Sequence, residues 1–208
     1  MKKLNVLLVA ILLFVSVGNL KAQEWDTGLD IYSSYVWRGA KFGSGPAFQP
    51  WVEFSAGGFS LGAWGSVNAS IDEAYEMDLY LGYDFDFGLS VAVTDYYFGG
   101  DYFDGAMHFI EPAISFEAGS FSLTAAYMLG EDVSDTYLEL GYSVGAVDLF
   151  VGAGDGAYTK DGGFMLCNVG IGTSKEIKLT DSFSLPLSGS VILNPSTEAF
   201  FVVVGISF

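Results

Sequence analysis

From residue 28 onward the chain alternates apolar and polar positions with a period of two. In "YEMDLYLGYDF", Tyr75, Met77, Leu79, Leu81, Tyr83 and Phe85 share one face, opposite Glu76, Asp78, Tyr80, Gly82 and Asp84. "TYLELGYSV" does the same, with Leu138, Leu140, Tyr142 and Val144 opposite Tyr137, Glu139, Gly141 and Ser143. Successive strand side chains point to opposite faces, so this period marks half-buried β-strands rather than helices. The pattern predicts twelve strands near 28–38, 47–56, 59–67, 75–85, 89–98, 107–117, 121–129, 136–144, 147–155, 164–174, 183–193 and 198–208.

The connections alternate in length. Short ones run through Gly57-Gly58, Asp86–Gly88, Gly119-Ser120 and Gly145-Ala146, with a longer exception at 175–182. Long ones run through 39–46, 68–74, 99–106, 130–135 and 156–163. An even number of strands with short turns on one side and long loops on the other predicts an all-β, transmembrane antiparallel up-and-down β-barrel. Both termini then fall on the short-turn, periplasmic side. In lipid an open edge would leave unpaired amides, so the first and last strands must join. The last strand, "AFFVVVGISF", puts Phe200, Val202, Val204, Ile206 and Phe208 on one face. A final amphipathic strand ending in phenylalanine resembles the signal read by the barrel assembly machinery, which makes that machinery an expected partner through Phe208.

Composition agrees with an exported barrel. The segment "MKKLNVLLVAILLFVSVGNLKA" has a basic start, an apolar centre and a small residue before Gln23, the pattern of a secretory signal peptide. The expected division is a signal peptide over 1–22 and an outer-membrane barrel over 23–208. Beyond Ala22 only Arg38, Lys41, Lys160, Lys175 and Lys178 are basic, against 25 acidic residues in the chain. That balance excludes a nucleic-acid partner, which needs a basic patch. The single Cys167 excludes an intramolecular disulfide.

A repeat runs through the barrel. "PWVEFSAGGFSLGAW" (50–64) aligns with "PAISFEAGSFSLTAA" (112–126) with eight identities, so the unit of growth is two hairpins. A two-residue turn at Gly57-Gly58 sets Trp51 across from Trp64 and Glu53 across from Gly62. The matched positions in the second copy are Ala113 and Ala126.

The run "DIYSSYVWRGAKFGSGPAFQPWVEFSAGGFSLGAWGS" resembles the Gcw_chp family of bacterial exported proteins through Tyr32, Ser34, Tyr35, Arg38, Gly39, Pro46, Gly62, Trp64 and Ser66. The resemblance implies an outer-membrane barrel and brings no substrate, catalytic residue or cofactor with it.

Chemistry is sparse. The only histidine, His108, falls on the outward face with Ile110, Ile114 and Phe116, which suits a belt residue better than a catalytic base. Cys167 shares a face with Val169 and Ile171, which suits a buried, inert thiol. The glycines of 152–163 lack the spacing and following helix of a phosphate loop. Neither an enzyme nor a cofactor is expected. Acidic loops such as Asp72-Glu73 form a solvated rim, with divalent-cation bridging to lipopolysaccharide as the alternative.

The interior carries the functional expectation. Alternation points Asp30, Glu53, Glu76, Asp78, Asp84, Glu111, Glu117, Glu139 and Asp148 inward, and an acidic, water-filled lumen favours cations. The barrel then reads as a narrow passive pore for small solutes, surrounded by outer-membrane lipid and lipopolysaccharide. The alternative is a non-conducting structural or surface-binding barrel. Trp51 and Trp64 are a candidate aromatic platform for a solute. In "YSSYVWRG", Tyr35 and Trp37 share parity with Leu29 and Ile31, which predicts a lipid-facing girdle. Arg38 then points inward beside Asp30 and Glu53, as a counter-charge near the mouth.

Overall fold

The computed structural model describes residues 23–69, 75–181 and 184–208. The expected signal peptide and the loop acids Asp72 and Glu73 lie outside the described residues. Twelve strands form one closed antiparallel barrel: β1 (Gln23–Tyr32), β4 (Ala47–Ala56), β5 (Phe59–Asn68), β6 (Glu76–Asp84), β7 (Leu89–Tyr97), β8 (His108–Ala118), β9 (Phe121–Leu129), β10 (Ser134–Val144), β11 (Val147–Gly154), β12 (Met165–Lys178), β13 (Ser184–Asn194) and β14 (Ala199–Ser207). Two further short strands, β2 (Tyr35–Trp37) and β3 (Ala40–Phe42), pair only with each other.

Alternation dictates the two surfaces. Leu61, Leu123, Leu140 and Val202 are each at least half exposed on the outer face. Gln49, Ser66, Glu76, Asp78, Glu111, Asn168 and Asn194 are buried on the inner face. Polar and charged side chains are thus buried on the inner face while large apolar ones stand exposed on the outer face, the inverse of a water-soluble sandwich. No helix among the described residues is long and apolar enough to cross a membrane.

The seam between the first and last strands is short. Only Asp30, Ile31 and Tyr32 pair in register with Ser207, Ile206 and Gly205. Leu29 and Phe208 then exchange backbone hydrogen bonds of 3.1 and 3.0 Å, so the terminal phenylalanine fastens the ring.

The structure corrects the first predicted strand. The span 28–38 is not one strand: β1 starts at Gln23 and ends at Tyr32. Ser33 makes the last wall contacts, donating from its N–H to the Val204 carbonyl (2.8 Å) and accepting at Oγ from the Val204 N–H (3.0 Å). The chain then turns into the lumen as the β2–β3 hairpin, which takes up residues 39–42 of the expected long connection and leaves 43–46 exposed.

A second correction concerns Cys167. The β11–β12 register steps from Gly152↔Asn168 to Ala153↔Leu166, leaving Cys167 as the extra residue of a β-bulge. A bulge breaks the period of two, and Cys167 and Asn168 are both buried. The thiol is buried, as expected, but the bulge takes it off the face it would share with Val169 and Ile171 in an unbroken strand.

Candidate functional site

The site is built around the tip of the inward hairpin. Trp37 pairs with Ala40 across the two-residue turn Arg38-Gly39. Both turn residues have positive φ, 50° at Arg38 and 77° at Gly39, as a type I′ turn requires. Glycine takes this conformation freely, whereas arginine takes it at a cost that its surroundings must offset. A Cβ at Gly39 would collide with the Cys167 carbonyl oxygen, so the hairpin tip rests directly on the bulge.

Those surroundings hold the guanidinium from every side. Arg38 donates two hydrogen bonds to Glu111, Nη1 to Oε2 at 2.5 Å and Nη2 to Oε1 at 2.9 Å. Nη1 also donates to the Tyr158 hydroxyl at 2.8 Å. The guanidinium carbon lies 4.3 Å from the Trp37 ring and 4.3 Å from the Tyr137 ring. Side-chain exposures are 11% for Arg38 and 4% for Glu111, so this pair is shielded from water. A planar fork stacked on aromatic faces and bound bidentately is a role lysine cannot fill.

Each partner is itself positioned. Tyr96 donates to Glu111 Oε1 at 3.2 Å from neighbouring β7. Tyr137 donates to Glu139 at 2.5 Å, and Asn168 donates to both the Tyr137 hydroxyl and Glu139 at 2.9 Å. Asn194 Nδ2 donates to the Gly39 and Tyr158 carbonyls, each at 3.2 Å. Tyr158 sits on a turn after β11 that Asp135 anchors by accepting from the Ala157 N–H at 2.9 Å. Burial pushes the Tyr158 phenol up to about 12, against the pull of Arg38, so it remains a neutral acceptor at ordinary pH.

The upper hairpin packs by aromatic contacts. Tyr35 donates to Glu76 at 3.1 Å and stands 5.5 Å from Trp64, ring centre to ring centre. Trp37 stands 5.5 Å from Tyr96 and 5.7 Å from Tyr158. These placements overturn the expected lipid girdle. Alternation stops at Ser33, so the parity of Tyr35 and Trp37 no longer tracks the wall.

The other expected site residues divide. Arg38 reaches the interior, but against Glu111 rather than Asp30 or Glu53. Glu76 and Glu139 bind phenols of the same network. Asp78 is buried beside it, with Oδ1 lacking a hydrogen-bond partner among the described residues. Glu53 stands apart and accepts from Tyr80 at 2.9 Å. Asp30 is half-buried, across from Gln49. Trp51 and Trp64 do occupy paired register positions. Their rings diverge: Trp64 rises to Tyr35, while Trp51 lies where a Cβ on Gly28 would be, and they make no shared platform.

Sequence reasoning missed Trp37, Tyr96, Tyr137, Tyr158, Asn168 and Asn194. One signal pointed to them. In the second repeat the tryptophans become Ala113 and Ala126, and those alanines pack in the cluster of Trp37, Tyr137, Tyr158 and Cys167. The small residues make room for the hairpin tip.

Outside the lumen, His108 uses both ring nitrogens, Nδ1 with Asp95 at 2.9 Å and Nε2 with the Tyr102 carbonyl at 2.8 Å. No group of three or more His, Cys, Asp or Glu side chains able to hold a metal ion occurs among the described residues.

No family model and no curated protein matches the chain. Among solved structures, a triple mutant of Rhodopseudomonas blastica porin is 15% identical over 78% of this chain and 55% of the porin, with a TM-score of 0.43. Another mutant of that porin is 16% identical over the same shares, with a TM-score of 0.43. The chain thus spans about half the length of the porins it is similar to.

Proposed function

We propose that this protein is an outer-membrane β-barrel acting as a narrow passive pore for small solutes, constricted on its long-loop side by the β2–β3 hairpin. The observation that carries this reading is the Arg38–Glu111 latch. It ties the hairpin to the β8 wall and leaves a cavity of about 290 Å³ beside it, lined by Tyr32, Ser34, Tyr35, Val36, Gln49, Ser190, Ile192 and Val203. The apolar outer face supports burial in lipid. On this reading 1–22 is a signal peptide, the termini are periplasmic, lipopolysaccharide covers the long-loop rim, and Phe208 is read by the assembly machinery. We also propose that the chain belongs with the Gcw_chp family, on its resemblance through Tyr32, Ser34, Tyr35, Arg38 and Gly39; Arg38-Gly39 is the hairpin tip.

The lumen on this reading is acidic, yet several of its carboxylates are engaged. Glu111 is bound to Arg38, and Glu76, Glu139 and Glu53 each accept from a tyrosine. Cation tolerance therefore rests on the short-turn half.

A second reading, a non-conducting structural barrel, is favoured by the hairpin's own packing against Trp64, Tyr96 and Tyr158. Planar-bilayer recordings decide between them. A pore gives small channel steps in the native protein, and larger ones when residues 34–44 are replaced by a Gly-Ser linker. Silence in both would leave the structural barrel.

A further inference from the structure

The hairpin's side-chain hydrogen bonds fall on the arc of the ring from β6 to β13, while β2 also runs close to β14. Its polar anchors, Glu111 on β8, Tyr158 beyond β11, Glu76 on β6 and Asn194 at the end of β13, leave the wall of β14, β1 and the lower β13 free of hairpin hydrogen bonds among those described. The remaining cavity lies along that free wall.

The chemistry of that wall differs from the rest of the lumen. The strands β13 ("SLPLSGSVILN") and β14 ("AFFVVVGIS") contain no charged residue. The cavity is lined by Tyr32, Ser34, Ser190 and Gln49, by Tyr35, whose hydroxyl is committed to Glu76, and by the apolar Val36, Ile192 and Val203. Gln49 is 5% exposed, and its Nε2 reaches Ser66 Oγ only at 3.4 Å, a long contact for so buried an amide. The cavity's carboxylate neighbours, Asp30 across the strand from Gln49 and Glu76 on the Tyr35 hydroxyl, oppose anions. Trp51 lies over Gly28, two residues further along the same inner faces, and offers a ring surface toward the short-turn half.

We propose that this wall is the solute path and that it selects small uncharged, hydroxyl-bearing solutes of polyol or monosaccharide size. The proposal rests on the pore reading above and names its substrate class. An anion entering the cavity loses water and meets no cation, and a cation meets only the carboxylates at its edge, Asp30 and the Tyr35-bound Glu76, so either charge leaves water at a cost. A polyol exchanges its water hydrogen bonds for those of Ser34, Ser190, Gln49 and Tyr32, and sets its C–H faces on Val203, Ile192 and then Trp51. A volume of about 290 Å³ lies at the lower edge of ordinary small-molecule sites, about 300–1,000 Å³.

Liposome swelling with the refolded full barrel tests the assignment, using xylitol, gluconate and glucosamine as neutral, anionic and cationic probes. Xylitol should enter at least about tenfold faster than gluconate, and faster than glucosamine, given the cost of an uncompensated buried charge. Ser190→Trp should cut xylitol entry to the protein-free rate while heat-modifiable gel mobility shows a folded barrel. If Ser190→Trp does not fold, Gln49→Leu, which keeps the volume, should slow xylitol severalfold. Equal rates for the three probes, or xylitol entry unchanged in the folded variant, would overturn the path. Absence of any flux in the native and linker-replaced barrels would instead remove the pore reading on which it rests.

Discussion

Arg38 and Glu111, 73 residues apart, meet inside the barrel through two parallel hydrogen bonds, with the guanidinium stacked between Trp37 and Tyr137. A charge pair this shielded is poor evidence of net stability, because both ions were taken out of water. It is strong evidence of a unique arrangement, because either partner alone would be a stranded charge.

Removing one partner should therefore cost much more than removing both. Arg38→Ala, leaving the Glu111 carboxylate without its cation, should destabilise the barrel by about 3 kcal/mol or more. Arg38→Ala with Glu111→Gln should recover a large part of that loss. Urea unfolding in detergent micelles checks this, and equal costs for the single and double variants would exclude the latch. Arg38→Lys should rescue little, since lysine lacks the fork and the flat stacking surface.

Cys167 gives a direct reporter of hairpin position. It is fully buried under the hairpin tip and is the only cysteine in the chain. A maleimide reagent should leave it unmodified in the native barrel and label it within minutes in Arg38→Ala. Rapid labelling of the native protein would show that the hairpin does not rest there.

Gly39→Ala should displace the tip even though it removes no hydrogen bond donor. The added methyl meets the Cys167 carbonyl, and the positive φ of 77° disfavours any side chain. Single-channel conductance should rise, and Cys167 should become reactive. Gly45→Ala is a useful contrast, because its φ is also positive, 75°, yet open space surrounds it. It should carry the backbone cost alone and leave Cys167 protected.

Ala126→Trp would restore, in the second repeat, the tryptophan that Trp64 supplies in the first. The berth that Trp37 and Tyr158 occupy would then be overfilled, at a cost of about 1–3 kcal/mol. The variant should conduct like the linker-replaced barrel. Native conductance with native stability would show that the alanine is not what admits the hairpin.

The wall of the barrel was legible because its cause is local. Alternation marks which residues face lipid, and the Gly57-Gly58 turn alone sets Trp51 opposite Trp64. The plug was not legible because its causes are exceptions to alternation. Tyr35 and Trp37 keep the parity of Ile31, and only the bend at Ser33-Ser34 separates them from it. Cys167 was misplaced by a single inserted residue, which no periodicity scan resolves inside a strand. The inward charges were found as a set, but pairing Arg38 with Glu111 needs the position of a hairpin whose path is set by contacts on the far wall.

The latch also has a temporal meaning. Hairpin contacts span 73, 120 and 155 residues, to Glu111, Tyr158 and Asn194. Contacts so distant in the chain are reached late, after the intervening loops have been closed. The hairpin emerges beside the first strand, yet its seat on β8, β11, β12 and β13 exists only when most of the wall has been laid down. The hairpin can therefore seat only after the strands that anchor it are in place. The Arg-Gly turn is a late fastener: a piece that leaves the first strand early in the chain and finds its berth only once the far wall stands.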